Sequence, residues 1–188
     1  MSKYCPHFFI ITPALWSNNL LDTNKAMKSF YTGCADAGPS MCPFWASSPN
    51  DIERNLTALY DSLRSRPLPV KTTTSYGVFD YDLLRKIVFE SLRYPYAFFP
   101  TLARGLAELA AGNPQPLFES AMPPPFECSC NSSEHAFTFM LADSEFAVLC
   151  NDGDDVPDDL KSTEEYFEML TKVSSWSDVW AHIRMGCM

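Results

Sequence analysis

Apolar residues recur three and four positions apart through most of this chain, which is the spacing of one helix face. The clearest segment opens at Ser48-Pro49-Asn50-Asp51. There a serine can cap, a proline has no amide to lose at the first helical position, and an acid suits the positive end of the helix dipole. Ile52, Leu56, Leu59, Tyr60 and Leu63 then share a face, Arg64 and Arg66 close the segment, and Pro67 and Pro69 stop it. An earlier helix is capped by Asp22, carries Ala26, Met27 and Phe30, and runs toward Gly38. A third is capped by Asp80 and turns Leu83, Leu84, Ile87, Val88 and Leu92 inward. Pro95 and Pro100 bracket an aromatic stretch, and a fourth helix follows from Thr101 to Ala111 with Leu102, Leu106, Leu109 and Ala110 as its apolar face. Gly112-Asn113 ends it, because glycine and asparagine tolerate the left-handed conformation of a helix stop.

Past Pro114 the pattern breaks up. Five prolines between Pro114 and Pro125 imply a loop with one helical turn at Leu117–Ala121. Glu134 to Leu141 reads as helix. Phe146-Ala-Val-Leu-Cys150 is a short buried-strand pattern, and Val70 to Thr74 is a second, β-branched strand or extended connector. Ser162-Thr-Glu-Glu165 has the form of a capping box, in which serine and glutamate each satisfy an amide at the helix start. The helix after it buries Tyr166, Phe167 and Leu170. Ser175 to Asp178 starts the last helix, with Trp176, Val179, Trp180 and Ile183. The fold class is therefore mainly α with one or two short strands. A buried strand without partners leaves amides and carbonyls unsatisfied, so the expectation is that sheet partners belong to sequence outside this chain.

Composition narrows the function classes. The 188 residues are 46% hydrophobic and 20% charged, which is globular. Ten acids and one lysine between Asp143 and Glu168 account for the whole net charge of −9. No Lys/Arg cluster exists, so neither nucleic acid nor an anionic membrane surface is an expected partner. No apolar run is long enough to span a bilayer. Seven cysteines (Cys5, Cys34, Cys42, Cys128, Cys130, Cys150 and Cys187) and two Asn-x-Ser/Thr sequons, at Asn55 and Asn131, point to an oxidising route. Cys34 and Cys42 flank the Gly38-Pro39 turn, which folds them within disulfide reach. The N-terminus lacks the pattern of a secretion signal, since Pro13 interrupts a short apolar run. A secreted protein without such a signal is expected to be part of a longer chain or to have a misplaced start.

Chemistry-bearing patterns are sparse. There is no Gly-x-Ser-x-Gly elbow and no glycine-rich phosphate loop. His182 and Cys187 lie five apart, which is no neighbour spacing on a helix, and His182 reads as a surface residue. Cys128-Ser-Cys130 is too tight for zinc, and Asp152, Asp154 and Asp155 miss the calcium-loop spacing. Neither a metal nor a cofactor is expected.

One ordered set of motifs is more specific. Trp16-Ser-Asn-Asn-Leu-Leu-Asp-Thr23 precedes Phe30-x3-Cys34-x3-Gly38-Pro39-x2-Cys42-Pro-Phe44. Then come Arg66-Pro-Leu-Pro-Val70, Tyr96-Ala-Phe-Phe-Pro100-x-Leu-Ala103, Leu106-x5-Gly112-Asn113, Phe146-Ala-Val-Leu-Cys-Asn-Asp152 and Ser175-x4-Trp180-x3-Arg184-x2-Cys187. From Trp16 to Cys187 this order resembles the tripeptidyl-aminopeptidase-like α/β-hydrolases of fungi and actinobacteria. In that family the nucleophile elbow lies upstream of such a region, and the Asp and His of the triad lie downstream. The resemblance implies a helical cap (lid) over 16–141, followed at 142–188 by a strand, an acidic loop and two helices. Residues 1–15 do not match, and the core sheet is largely missing. It implies a secreted parent that hydrolyses peptides, with this part gating substrate and lacking the Ser-Asp-His triad. It also implies a Cys150–Cys187 disulfide and a role for Asp152 in anchoring a substrate amine. The chain alone is expected to be inactive, and its aromatic helices, without the hydrolase body, to self-associate. The alternative is a non-catalytic, disulfide-bearing secreted binding module.

Overall fold

The computed structural model describes residues 17–122, 150 and 159–186. Among these the protein is mainly helical, with seven α-helices and one antiparallel hairpin. In chain order they are a 3-10 turn at Ser17–Leu20, α1 (Thr23–Ala37), α2 (Pro49–Ser65), β1 (Leu68–Lys71), β2 (Tyr76–Phe79), α3 (Tyr81–Ser91), α4 (Pro95–Ala110), α5 (Gln115–Ala121), α6 (Leu160–Val173) and α7 (Ser177–Met185). No helix among them is long and apolar enough to cross a membrane. The chain divides into two compact units, Asp22–Ser129 and the pair Met1–Leu21 with Cys130–Met188.

In the Asp22–Ser129 unit, α1 packs on α2 and α4, α3 on α2, α4 and α5, and α5 also on β1. The start of α2 follows the local chemistry. Ser48 Oγ accepts from the Asp51 amide at 3.2 Å, and Ser47 and Ser48 both donate to the Asp51 carboxylate. Ile52, Leu56 and Leu63 are buried, while Leu59 and Tyr60 are half-buried at the margin. Asp80 caps α3 by accepting from the Leu83 amide at 2.9 Å. Asp22 sits at the cap position of α1 but makes no side-chain cap bond; Lys25 draws its carboxylate away at 2.8 Å. The end of α4 is a Schellman motif: Asn113 N donates to Glu108 O and Gly112 N to Leu109 O, with Gly112 at φ 88°.

Cys34 and Cys42 form a disulfide across the turn at Gly38, whose φ of 75° glycine alone adopts without strain. Both cysteines are buried, and Trp45 Nε1 donates to Ala35 O at 3.2 Å, a second tie over the same loop. A loop this short, closed covalently, stabilises the fold by about 2–3 kcal/mol in the chain-entropy account.

Several boundaries differ from the sequence expectation. Pro100 lies inside α4, which begins at Pro95. Proline removes the bond to the carbonyl four residues back, here Tyr96, and Tyr96 is 99% exposed, so water can take that bond. Ala110 is exposed, and Leu83, Ile87 and Leu92 are only half-buried, whereas Arg85, Phe89 and Ser91 are buried. The first strand is Leu68–Lys71 and stops before Thr74, because Thr72 Oγ1 accepts from the Thr74 and Ser75 amides and turns the chain. Its partner β2 pairs with it in the register Leu68↔Phe79 to Lys71↔Tyr76.

In the other unit, α6 packs on α7 and on the Ser17–Leu20 turn, with Leu20, Tyr166, Leu170, Trp176, Val179 and Trp180 buried. Phe167, expected inward, is exposed. Helix α6 starts at Leu160 rather than at Ser162, because Asp159 caps it by accepting from the Ser162 amide at 2.9 Å. Of the strand pattern Phe146–Cys150 only Cys150 is described, and it is helical. The rest of that run, the segment Glu134–Leu141, residues 1–15 and the Ile183 side chain lie outside the described residues.

Candidate functional site

Two helices carry the same residue pair one turn apart: Tyr60 and Arg64 on α2, Tyr81 and Arg85 on α3. Positions four apart stand one above the other on a helix, so when α2 packs on α3 the pairs interlock. The Arg64 guanidinium lies 4.0 Å from the Tyr81 ring centroid, and that of Arg85 lies 5.3 Å from the Tyr60 centroid. Tyr60 and Tyr81 meet edge to face at 5.6 Å. Cation–π contacts contribute about 0.5–1 kcal/mol when exposed and about 2 when desolvated. The inner one is desolvated, since Arg85 is 8% exposed.

Tyr31 of α1 completes the cluster. Burial pushes its phenol well above the ordinary value of 10.0; the Glu53 charge adds to the rise and Arg85 opposes it. Burial raises the Tyr60 phenol in the same way, again against Arg85. The Tyr60 hydroxyl is buried and makes no hydrogen bond of ordinary geometry, and Arg85 opposes the rise chiefly as a nearby charge, with a weaker hydrogen-bonding contribution. Both phenols therefore stay protonated through the neutral range while the guanidinium stays charged. That combination clamps helices and presents a fixed positive charge; it neither accepts a proton nor supplies a nucleophile.

An alkaline titration follows with a definite sign. Both folded phenols are raised above the unfolded value of 10.0. The folded state therefore holds protons that the unfolded state has lost, and stability falls as pH rises from about 10 through the folded values, being fully present below. Tyrosinate absorbance should develop in two phases, the later one coinciding with unfolding. Tyr60→Phe also removes a buried hydroxyl that lies beside the Arg85 guanidinium without a hydrogen bond of ordinary geometry. It should leave stability at pH 7 unchanged or raise it by about 1 kcal/mol, and shrink the alkaline loss. A single ionisation phase with the fold intact would contradict the assignment.

The unit also exposes aromatic surface. Tyr94, Tyr96 and Phe98 stand out at the start of α4, with Tyr94 and Phe98 edge to face at 6.0 Å. The outer face of the hairpin shows Tyr76 and Val78, because alternation along β2 turns Gly77 and Phe79 inward.

Of the residues singled out from the sequence, Cys34 and Cys42 are bonded to each other. Cys150 is disulfide-bonded, and its expected partner Cys187 lies outside the described residues, as do Asp152 and Asn131. Asn55 is exposed on α2 and His182 on α7. Among the described residues no group of three or more His, Cys, Asp or Glu is arranged to hold a metal ion. The tyrosine–arginine cluster has a sequence signal, the repeated Tyr-x3-Arg at 60–64 and 81–85, which becomes meaningful only once the two helices are known to touch. No family model, no curated protein and no solved structure matches this chain.

Proposed function

We propose that this chain is the cap region of a secreted α/β-hydrolase resembling tripeptidyl aminopeptidases. In the parent protein it gates access of peptides to a catalytic triad contributed by other segments, and it hydrolyses nothing alone. The observation that carries the reading is that the matching motifs from Phe30 to Asn113 fall within one compact helical unit, Asp22–Ser129, stapled by Cys34–Cys42. A cap excludes water and selects substrate without taking part in bond cleavage. A second reading, a non-catalytic secreted binding module, is favoured by the exposed Tyr94, Tyr96 and Phe98.

One experiment separates them. The native protein is isolated from its source, labelled with a serine-reactive fluorophosphonate and mapped by peptide mass spectrometry. The expected result is a polypeptide longer than 188 residues, labelled on a serine outside this sequence. An unlabelled secreted species of this length favours the binding module, and a labelled serine within this chain overturns the proposal.

A further inference from the structure

Residues i and i+2 of a helix point about 200° apart, whereas in an extended chain they share a side. The sequon Asn55-Leu56-Thr57 lies in the middle of α2. Leu56 is 1% exposed and faces the core, and Asn55 and Thr57 stand on its two flanks, both exposed. The Thr57 hydroxyl donates to Glu53 O at 2.9 Å, which occupies the group that a sequon uses beside its asparagine. The folded helix therefore offers the asparagine to solvent but separates it from its hydroxyl partner. A separate observation concerns the compartment. The buried Cys34–Cys42 disulfide, and the bonded state of Cys150, are compatible with an oxidising route, that of the secreted parent proposed above. In eukaryotic cells that route carries the transferase for Asn-x-Ser/Thr.

We infer that Asn55 is an N-glycosylation site, modified on the nascent chain before α2 forms. The donor is an oligosaccharide linked to a lipid through a diphosphate. Asn55 Nδ2 forms a bond to the anomeric carbon of the sugar, and the bond from that carbon to the diphosphate oxygen breaks. The lipid diphosphate leaves with the electron pair, the amide gives one proton to a base of the transferase, and nothing is oxidised or reduced. Once the helix closes, the glycan stands on the exposed flank of α2, so Ile52, Leu56 and Leu63 pack undisturbed. The sugar also marks that flank as solvent-facing in any larger assembly.

The test expresses the full chain behind a cleavable secretion signal in eukaryotic cells, with Asn131→Gln present so that one sequon remains. Total lumenal and secreted protein is read together by peptide mass spectrometry and by mobility after endoglycosidase. The expected result is a single glycan on the Asn55 peptide, absent in Asn55→Gln and Thr57→Ala and retained in Thr57→Ser. In a second arm, purified transferase and lipid-linked donor act on the folded disulfide-bonded chain or on the reduced, unfolded chain. Only the unfolded chain should be modified. An Asn55 peptide without glycan in the cells overturns the site, and equal modification of the folded chain overturns its order relative to folding.

Discussion

Phe118→Ala is expected to remove about 3–5 kcal/mol of folding free energy from the Asp22–Ser129 unit, a large share of the ~5–15 kcal/mol that holds a typical domain together. Phe118 is 2% exposed. Its ring lies against the backbone of β2, where a Cβ on Gly77 would come within 2.9 Å of Phe118 Cζ. The element that carries it, α5, has seven residues, too few to hold a helix in water without tertiary contacts. Leu117 and Phe118 are its buried residues, so truncating the larger one leaves a cavity and loosens both α5 and the hairpin it covers. Denaturant unfolding followed by circular dichroism reads the change. A loss below about 1 kcal/mol would mean that the ring is not the pin described.

The same contact explains why half of the hairpin is hard to read from sequence. The segment Tyr76-Gly-Val-Phe79 is four residues long and has a glycine where a strand would place a side chain. Glycine weakens a strand on local grounds, and its reason here is a phenylalanine far along the chain. Helix starts are different, because their chemistry is local. Ser48-Pro49 and Asp80 cap the helices they were read to cap. Where two starts compete, geometry decides: Asp159 and Ser162 are both capping residues, and the helix begins one turn earlier because Asp159 reaches the Ser162 amide first.

The inward faces of α2 and α4 are legible for the same reason, since a 3.6-residue period survives translation from sequence to packing. The tyrosine–arginine cluster is not. A charged side chain in Leu83-Leu84-Arg85-Lys86 reads as solvent-facing, yet Arg85 is buried with its guanidinium over the Tyr60 ring of another helix. Pro100 misleads in the opposite direction. Proline predicts a boundary, yet α4 runs through it where the freed carbonyl belongs to an exposed residue.

Glycine-to-alanine substitutions on two helices should have opposite signs. In a helix interior the change normally stabilises by about 0.5–1 kcal/mol, because glycine loses more backbone freedom on folding. Gly33 on α1 is exposed and a Cβ there would meet nothing within 4 Å, so Gly33→Ala should show that gain. Gly105 on α4 is buried, and a Cβ there would lie 2.7 Å from Leu117 Cγ, closer than real contacts allow. The leucine is buried, so its side chain has to shift within the α4–α5 contact to admit the methyl. Gly105→Ala therefore strains the packing of Leu117 between α4 and α5. Overpacking of this kind costs about 1–3 kcal/mol, enough to outweigh the propensity gain, and the two alanine variants should differ by roughly 1–3 kcal/mol in unfolding free energy. Leu117→Ala alone should cost about 2–5 kcal/mol. Combined with Gly105→Ala it should cost less than the sum, because the new methyl then occupies space the leucine has left. Strict additivity in that double-mutant cycle, or a stabilising Gly105→Ala, would show that α4 and α5 do not meet at this glycine.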